Sequence, residues 1–234
     1  LVAQKQLRRE VRRVDADYKM PAQIYGLMVY STKWPGGSGT GRYGVYTFTA
    51  DKPNTMTAVV KDDLFAASGG AVYANGRLNV LNFTSLWGTI ILDYDYYEYA
   101  TQYWDELQHV HGDGVTRLMS AAAAYDPATE NYYAAMYTDD MAHQVFGTLD
   151  YATNSRQVIR QLTDAENICA MAFGTDGTLY AIRFDGQLVT LNKNNGTATV
   201  IGSTGITPMY LQSAAIDPRT GRMFWAACSD TDPV

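Results

Sequence analysis

Three observations predict an all-β fold made of repeated four-stranded units. The phrase Ser213-Ala-Ala-Ile-Asp-Pro-Arg-Thr-Gly-Arg-Met-Phe-Trp-Ala-Ala has an earlier near-copy, Ser120-Ala-Ala-Ala-Ala-Tyr-Asp-Pro-Ala-Thr-Glu-Asn-Tyr-Tyr-Ala-Ala. A third version, Ala170-Met-Ala-Phe-Gly-Thr-Asp-Gly-Thr-Leu-Tyr-Ala-Ile, lies between them, so that Asp126, Gly174 and Asp217 stand 48 and 43 residues apart. The intervening text alternates short apolar runs with Gly and Asn turns, and its 18 Tyr favour strands over helices. A period near 45 with strand-like units is that of a β-propeller blade. About five blades of four strands are visible, the last incomplete, which points to part of a six- to eight-bladed ring.

Taken in order, residues 1–22 read as a polar lead-in and 23–234 as the incomplete propeller. Ile24 to Ser31 and Tyr43 to Thr49 read as strands, separated by a Gly-rich loop that cannot hold a regular element. Gly70 to Tyr73 and Arg77 to Asn82 are joined by Asn75-Gly76, the residues of a tight type I′ hairpin. Gly88 to Asp93 is a further strand. Tyr94 to Leu107 as a whole is assigned to no single element, and its densest aromatic and acidic part, Asp93 to Trp104, reads as a long outer strand with alternating Tyr.

The next blade is Met119 to Tyr125, Asn131 to Tyr137, Val145 to Asp150 and Gln157 to Leu162. After it come Ile168 to Phe173, Thr178 to Arg183, Gln187 to Asn192 and Thr197 to Gly202. Its turns, Thr175-Asp-Gly and Asn194-Asn-Gly, supply residues that tolerate positive φ. A final blade opens at Leu211. Small residues in each first strand let inner strands approach one another. Tyr133, Tyr180, Phe224 and Trp225 follow one strand later, where diverging sheets need filling, and are read as core.

Composition excludes several function classes. A net charge of −6, from 18 basic and 24 acidic side chains, disfavours a general nucleic-acid surface. The basic run Lys5 to Arg13 reads as a solvated lead-in. No apolar run reaches the roughly 18 residues a membrane span needs. The chain opens on Leu1, which reads as a true start lying upstream. Cys169 and Cys228 sit in apolar patterns without metal-ligand spacing and read as small buried hydrophobes, with a disulfide between them as the open alternative. No cofactor motif or phosphate loop occurs.

The two phrases above, with Asp185-Gly-Gln-Leu-Val-Thr-Leu-Asn-Lys-Asn-Asn-Gly-Thr-Ala-Thr-Val-Ile-Gly, resemble blades of secreted bacterial propellers. They are similar to the YVTN, NHL and quinoprotein-like repeats of surface lipoproteins in gut anaerobes. The resemblance is close over 119–228 and looser over 24–93. It implies an extracellular or cell-surface location, lipid-anchored in some cases, with the periplasm as the alternative. It also implies neighbouring immunoglobulin-like modules or the remainder of the propeller as partners, and it carries over no catalytic residue.

Propeller topology places the loops between strands two and three, and those between blades, on one face. Long loops on a rigid scaffold are where ligand sites belong. The candidates there are Trp34, Asp113, Asp139, Asp140, Arg183 and Tyr210, accompanied by Asp62, Asp63, His111, His143, Asp185 and Gln212. Asp139-Asp140 with His143 has the carboxylate and imidazole groups that suit a divalent cation and reads as a solvated loop; His109 with His111 is a zinc-like pair without a third ligand, and no metal site is assigned. The leading function is a non-catalytic surface protein that binds a protein or glycan. The alternative is a carbohydrate-active hydrolase or lyase using channel-mouth carboxylates, drawn from acidic and aromatic stretches such as Asp93 to Trp104. A third is a scaffold presenting adjacent modules.

Overall fold

The computed structural model describes residues 23–31, 41–61, 71–86, 89–98, 103–109, 119–138, 142–151, 153 and 155–229. The lead-in expected over 1–22 lies outside them. The chain divides into two compact units, Leu1–Leu64 and Phe65–Val234.

In the first unit β1 (Gln23–Ser31), β2 (Gly41–Thr49) and β3 (Lys52–Lys61) form an antiparallel sheet in that order. Thr47 donates its hydroxyl to the carbonyl of Ile24 at 3.0 Å, and Val45 and Tyr46 are buried. The third strand has no counterpart in the sequence reading. Its first half, Lys-Pro-Asn-Thr, is exposed and lacks an apolar alternation to announce it.

The second unit is a series of antiparallel sheets. β4 (Val72–Ala74), β5 (Arg77–Leu86), β6 (Thr89–Glu98) and β7 (Tyr103–His109) make the first, in chain order. Asn75 and Gly76 take φ values of 53° and 78° between the paired residues Ala74 and Arg77, as a type I′ turn requires. The stretch Asp93 to Trp104 is not one long strand. It divides between β6 and β7, with Tyr96 opposite Asp105 and Tyr97 opposite Trp104. Aromatic and acidic residues alone give no signal for that division.

β8 (Met119–Asp126), β9 (Asn131–Tyr137), β10 (Gln144–Leu149) and β11 (Arg156–Gln161) form the next sheet. β12 (Ile168–Phe173), β13 (Leu179–Arg183), β14 (Gln187–Leu191) and β15 (Ala198–Ser203) form the one after. A last sheet holds only β16 (Ser213–Ile216) and β17 (Met223–Ala226). The first strands are the ones that meet: β4 lies beside β8, β8 against β12, and β12 against β16. This is the radial arrangement of a β-propeller with four-stranded blades.

The small-then-large pattern has the packing consequence expected of it. Ala121 to Ala124 in β8 and Cys169 to Ala172 in β12 are buried where the first strands converge. Tyr133 fills the widening gap one strand out. It stacks on Phe146 at 6.0 Å between ring centroids and tilts against Phe173 at 5.7 Å. Met171, Leu179, Val189 and Leu191 complete that core from the facing sheet. Each such fully buried side chain contributes about 1.5–3 kcal/mol. Tyr180, Phe224 and Trp225 are half-buried rather than fully enclosed.

A polar clasp fixes the turn between β8 and β9. Asp126, fully buried, accepts hydrogen bonds from the amide of Ala128 at 3.0 Å, the hydroxyl of Thr129 at 2.9 Å and Lys193 Nζ at 2.5 Å. Lys193 comes from the neighbouring sheet, so one carboxylate both closes its own turn and joins two blades. The turn is tight enough that Glu130 adopts a φ of 56° where its counterpart Gly221 adopts 69°.

Candidate functional site

Alternating strand direction fixes which loops share a face. The turns after first and third strands point one way, and the loops after second and fourth strands point the other. Hydrogen bonds confirm the second set as one surface. His143, in the loop between β9 and β10, lies 3.3 Å from Asp164 in the connector between β11 and β12. Phe184, after β13, donates its amide to Asn167 of the same connector at 3.0 Å. Thr204, after β15, donates its amide to Gly186 at 2.9 Å, and Met209 donates to Cys228 at 2.8 Å.

The connector Leu162–Asn167 is built as a single 3₁₀ turn, Asp164–Glu166, capped by Thr163. Glu166 accepts from the amide and hydroxyl of Thr163 at 3.0 and 2.9 Å and pairs with Arg160. Burial pushes the Glu166 carboxyl up. Arg160 and the Thr163 donors outweigh it and hold the carboxyl at about 2. The pair is a structural lock, since both partners are committed to each other.

Two predicted site residues are described. Arg183 ends β13 and pairs with Asp185, its Nε donating to Oδ1 at 3.2 Å. Asp185 also accepts the amide of Gln187 at 3.0 Å, which closes the tight turn into β14. The Arg183 guanidinium holds the Asp185 carboxyl below the usual range, and Asp185 in turn raises Arg183. A ligand anion would therefore share the guanidinium with Asp185. Tyr210 lies in the connector between β15 and β16, 73% exposed, with a φ of 62°. Two residues on, the Gln212 side-chain amide donates to the carbonyls of Met209 at 2.7 Å and Cys228 at 2.6 Å. The Gln212 backbone amide donates to Cys169 at 3.0 Å. Tyr210 thus projects from an anchored loop.

Trp34, Asp113, Asp139 and Asp140 lie outside the described residues, as do Asp62, Asp63 and His111. Among the described residues no three His, Cys, Asp or Glu side chains gather as a metal site. Cys169 and Cys228 are both free. Burial pushes the Cys169 thiol up to about 12, which leaves it inert as a nucleophile. Cys228 is half-buried and lies beyond β17 rather than within a strand.

A shallow polar groove of about 400 Å³ occurs on the opposite face, lined by Thr178, Thr190, Asn192, Lys193, Thr197 and Thr199. The sequence reading did not single it out, because its threonines are ordinary strand and turn residues. Its one cation, Lys193, is engaged by Asp126.

No helix among the described residues is long and apolar enough to cross a membrane. No protein-family model matches the chain, and no curated protein does. Solved structures do match. A structure from a nidogen–laminin complex is 10% identical, with a TM-score of 0.52, over 79% of this chain and 67% of that one. A protein of unknown function from Bacteroides thetaiotaomicron is 15% identical, with a TM-score of 0.49, over 80% of this chain and 47% of that one. TolB from Acinetobacter baumannii is 11% identical, with a TM-score of 0.46, over 81% of this chain and 44% of that one. The chain thus spans under half the length of the last two. At 10% identity the nidogen–laminin structure carries fold and no more, and that fold agrees with the sheets described above: this chain is a β-propeller.

Proposed function

We propose that this chain is a non-catalytic binding module of an extracellular or cell-surface protein, and that it takes a protein or glycan ligand on the face of the second- and fourth-strand loops. The carrying observation is Tyr210. A side chain 73% exposed on an anchored backbone with φ of 62° contributes almost nothing to the core, yet offers a rigid aromatic plane to a partner. Arg183, Asp185, Asp164 and His143 surround the same face with charge and hydrogen-bonding groups. Asp113, Asp139 and Asp140 belong to the proposal through their place in the sequence, and Trp34, in the first unit, is proposed as a contact of its own. The match to a structure from a nidogen–laminin complex makes a protein ligand a natural class to test beside glycans.

The test is a glycan array and a panel of extracellular-matrix and surface proteins, probed with the wild type and with Tyr210→Ala and Arg183→Ala. Binding that falls at least tenfold in Tyr210→Ala, with bound glycan unchanged in mass, supports the reading. Cleavage of a bound glycan overturns it in favour of the carbohydrate-active enzyme. Binding unaffected by both substitutions moves the site off this face.

A further inference from the structure

The connectors that follow β11 and β15 begin alike. Leu162 donates its amide to the carbonyl of Gln144 at 2.8 Å, and Thr204 donates its amide to the carbonyl of Gly186 at 2.9 Å. Two residues on from each stands an exposed side chain: Asp164, 81% exposed, and Ile206, 38% exposed. The connector of Asp164 joins two four-stranded sheets and is exposed all the same, so exposure belongs to the place itself. What the place presents changes from a carboxylate to an apolar side chain, and Tyr210 follows Ile206 in the same connector. Asp164 touches His143, and among the described residues no Lys or Arg pairs with it.

The connector of Ile206 and Tyr210 spends its polar groups on itself. The amides of Gly205 and Ile206 donate to Ser203 Oγ at 3.1 Å and Thr204 Oγ1 at 3.3 Å, and the Thr204 hydroxyl donates to the carbonyl of Gly186 at 2.9 Å. The Gln212 side-chain amide is taken by Met209 and Cys228. The turn that carries the Arg183–Asp185 pair lies against this connector, since a Cβ added at Gly186 would stand 2.3 Å from the Ile206 carbonyl oxygen. A glycan is held through many hydrogen bonds to its hydroxyls, and here the donors are already committed. An apolar contact asks for none of them. We propose that the ligand of the face put forward above is a protein, which sets an apolar side chain against Ile206 and Tyr210 and a basic one against Asp164. The inference rests on that reading of the face and names its partner class. A connector held in place beforehand lowers the cost of ordering on binding. The apolar contact then supplies affinity, and the carboxylate one blade away supplies orientation. A net charge of −6 draws a basic partner at encounter.

The probe is a display library of random peptides selected on the immobilised chain, with a glycan array run in parallel. Selected peptides are expected to carry Arg or Lys together with Leu, Ile or Phe. Their affinity should fall about tenfold or more in Ile206→Ser and in Tyr210→Asn, the second keeping a residue that tolerates positive φ. Selection on Asp164→Lys should invert the charge preference, with acidic peptides replacing basic ones. Urea midpoints equal to that of the wild type establish that the variants are folded, and the exposed Asp164→Lys carries the test where Ile206→Ser loses stability. An empty peptide selection, or one without the paired apolar and basic residues, would overturn the protein assignment. A glycan bound through Tyr210 beside an empty selection would overturn it while leaving the face standing. Peptides that bind all three variants as they bind the wild type would remove the assignment and the face together.

Discussion

Gln144 and Ile168 are joined by two hydrogen bonds across neighbouring blades. The Gln144 side-chain amide donates to the carbonyl of Ile168 at 3.0 Å, and its oxygen accepts the amide of Ile168 at 2.7 Å. Neither residue is exposed. The side chain stands in for a missing strand, because the first residue of β12 finds its partner in a glutamine on β10. Replacing Gln144 with Ala strips both partners from a buried peptide group. The expected loss is about 2–6 kcal/mol, given about 1–3 kcal/mol for each of the two unsatisfied buried groups. Gln144→Glu should cost at least as much near neutral pH, since a carboxylate cannot donate to the Ile168 carbonyl. A urea midpoint unchanged in Gln144→Ala would show that the bridge adds nothing.

Backbone handedness separates three turn residues. Gly221 has a φ of 69° with open space where a Cβ would be, so Gly221→Ala should cost about 1–2 kcal/mol, through the backbone alone. Gly186 has a φ of 78°, and an added Cβ would lie 2.3 Å from the carbonyl oxygen of Ile206. Gly186→Ala should therefore cost about 3 kcal/mol or more, strain and overlap together. Glu130, at a φ of 56°, runs the other way. Glu130→Gly should gain up to about 1 kcal/mol, the relief being offset in part by a more flexible unfolded chain. Equal urea midpoints for the two alanine variants would refute the steric part.

Acid should weaken this protein through its paired carboxylates. The folded-state Glu166 carboxyl sits near 2 against an ordinary value of 4.5, so the folded state binds its proton less readily than the unfolded chain. Its stabilisation is fully present above about pH 4.5 and is lost as pH falls towards 2. Asp126 adds in the same sense: burial pushes its carboxyl up, but Lys193, Ala128 and Thr129 together hold it below the usual range. Urea midpoints measured between pH 6 and pH 3 should fall for the wild type and fall less for Glu166→Gln. Parallel curves would show that the Arg160 pair contributes no pH dependence.

Tyr210 offers a separation of stability from binding. Tyr210→Gly removes an exposed ring and places glycine at a positive φ, so the urea midpoint should hold or rise slightly while ligand affinity falls. A destabilised variant would mean that the ring packs in solution.

The architecture was legible because repetition made it so. β9 and β12 run over the residues read from the sequence, and Asn75-Gly76 forms the turn its residues specify. β3 was missed because its exposed first half, Lys52 to Thr55, carries no apolar alternation. Gln144 was missed for a different reason: one polar residue gives no hint that its partner lies 24 positions on. The binding face is harder still to read. Repeat signatures encode what every blade shares, whereas loops such as the one holding Tyr210 differ from blade to blade. Arg183 is visible as a charge in sequence, but its commitment to Asp185 is a fact of geometry.

First strands meet in turn among the described residues, β4 with β8, β8 with β12 and β12 with β16, so these sheets are coupled neighbour to neighbour. Cooperativity passes from one blade to the next through the shared faces, and a sheet without fully buried residues, as β16 and β17 are, opens before one with many. Native-state proteolysis should consequently advance in discrete steps. The β16–β17 segment should be released first, and the Gln144–Ile168 bridge should mark a barrier at which digestion pauses.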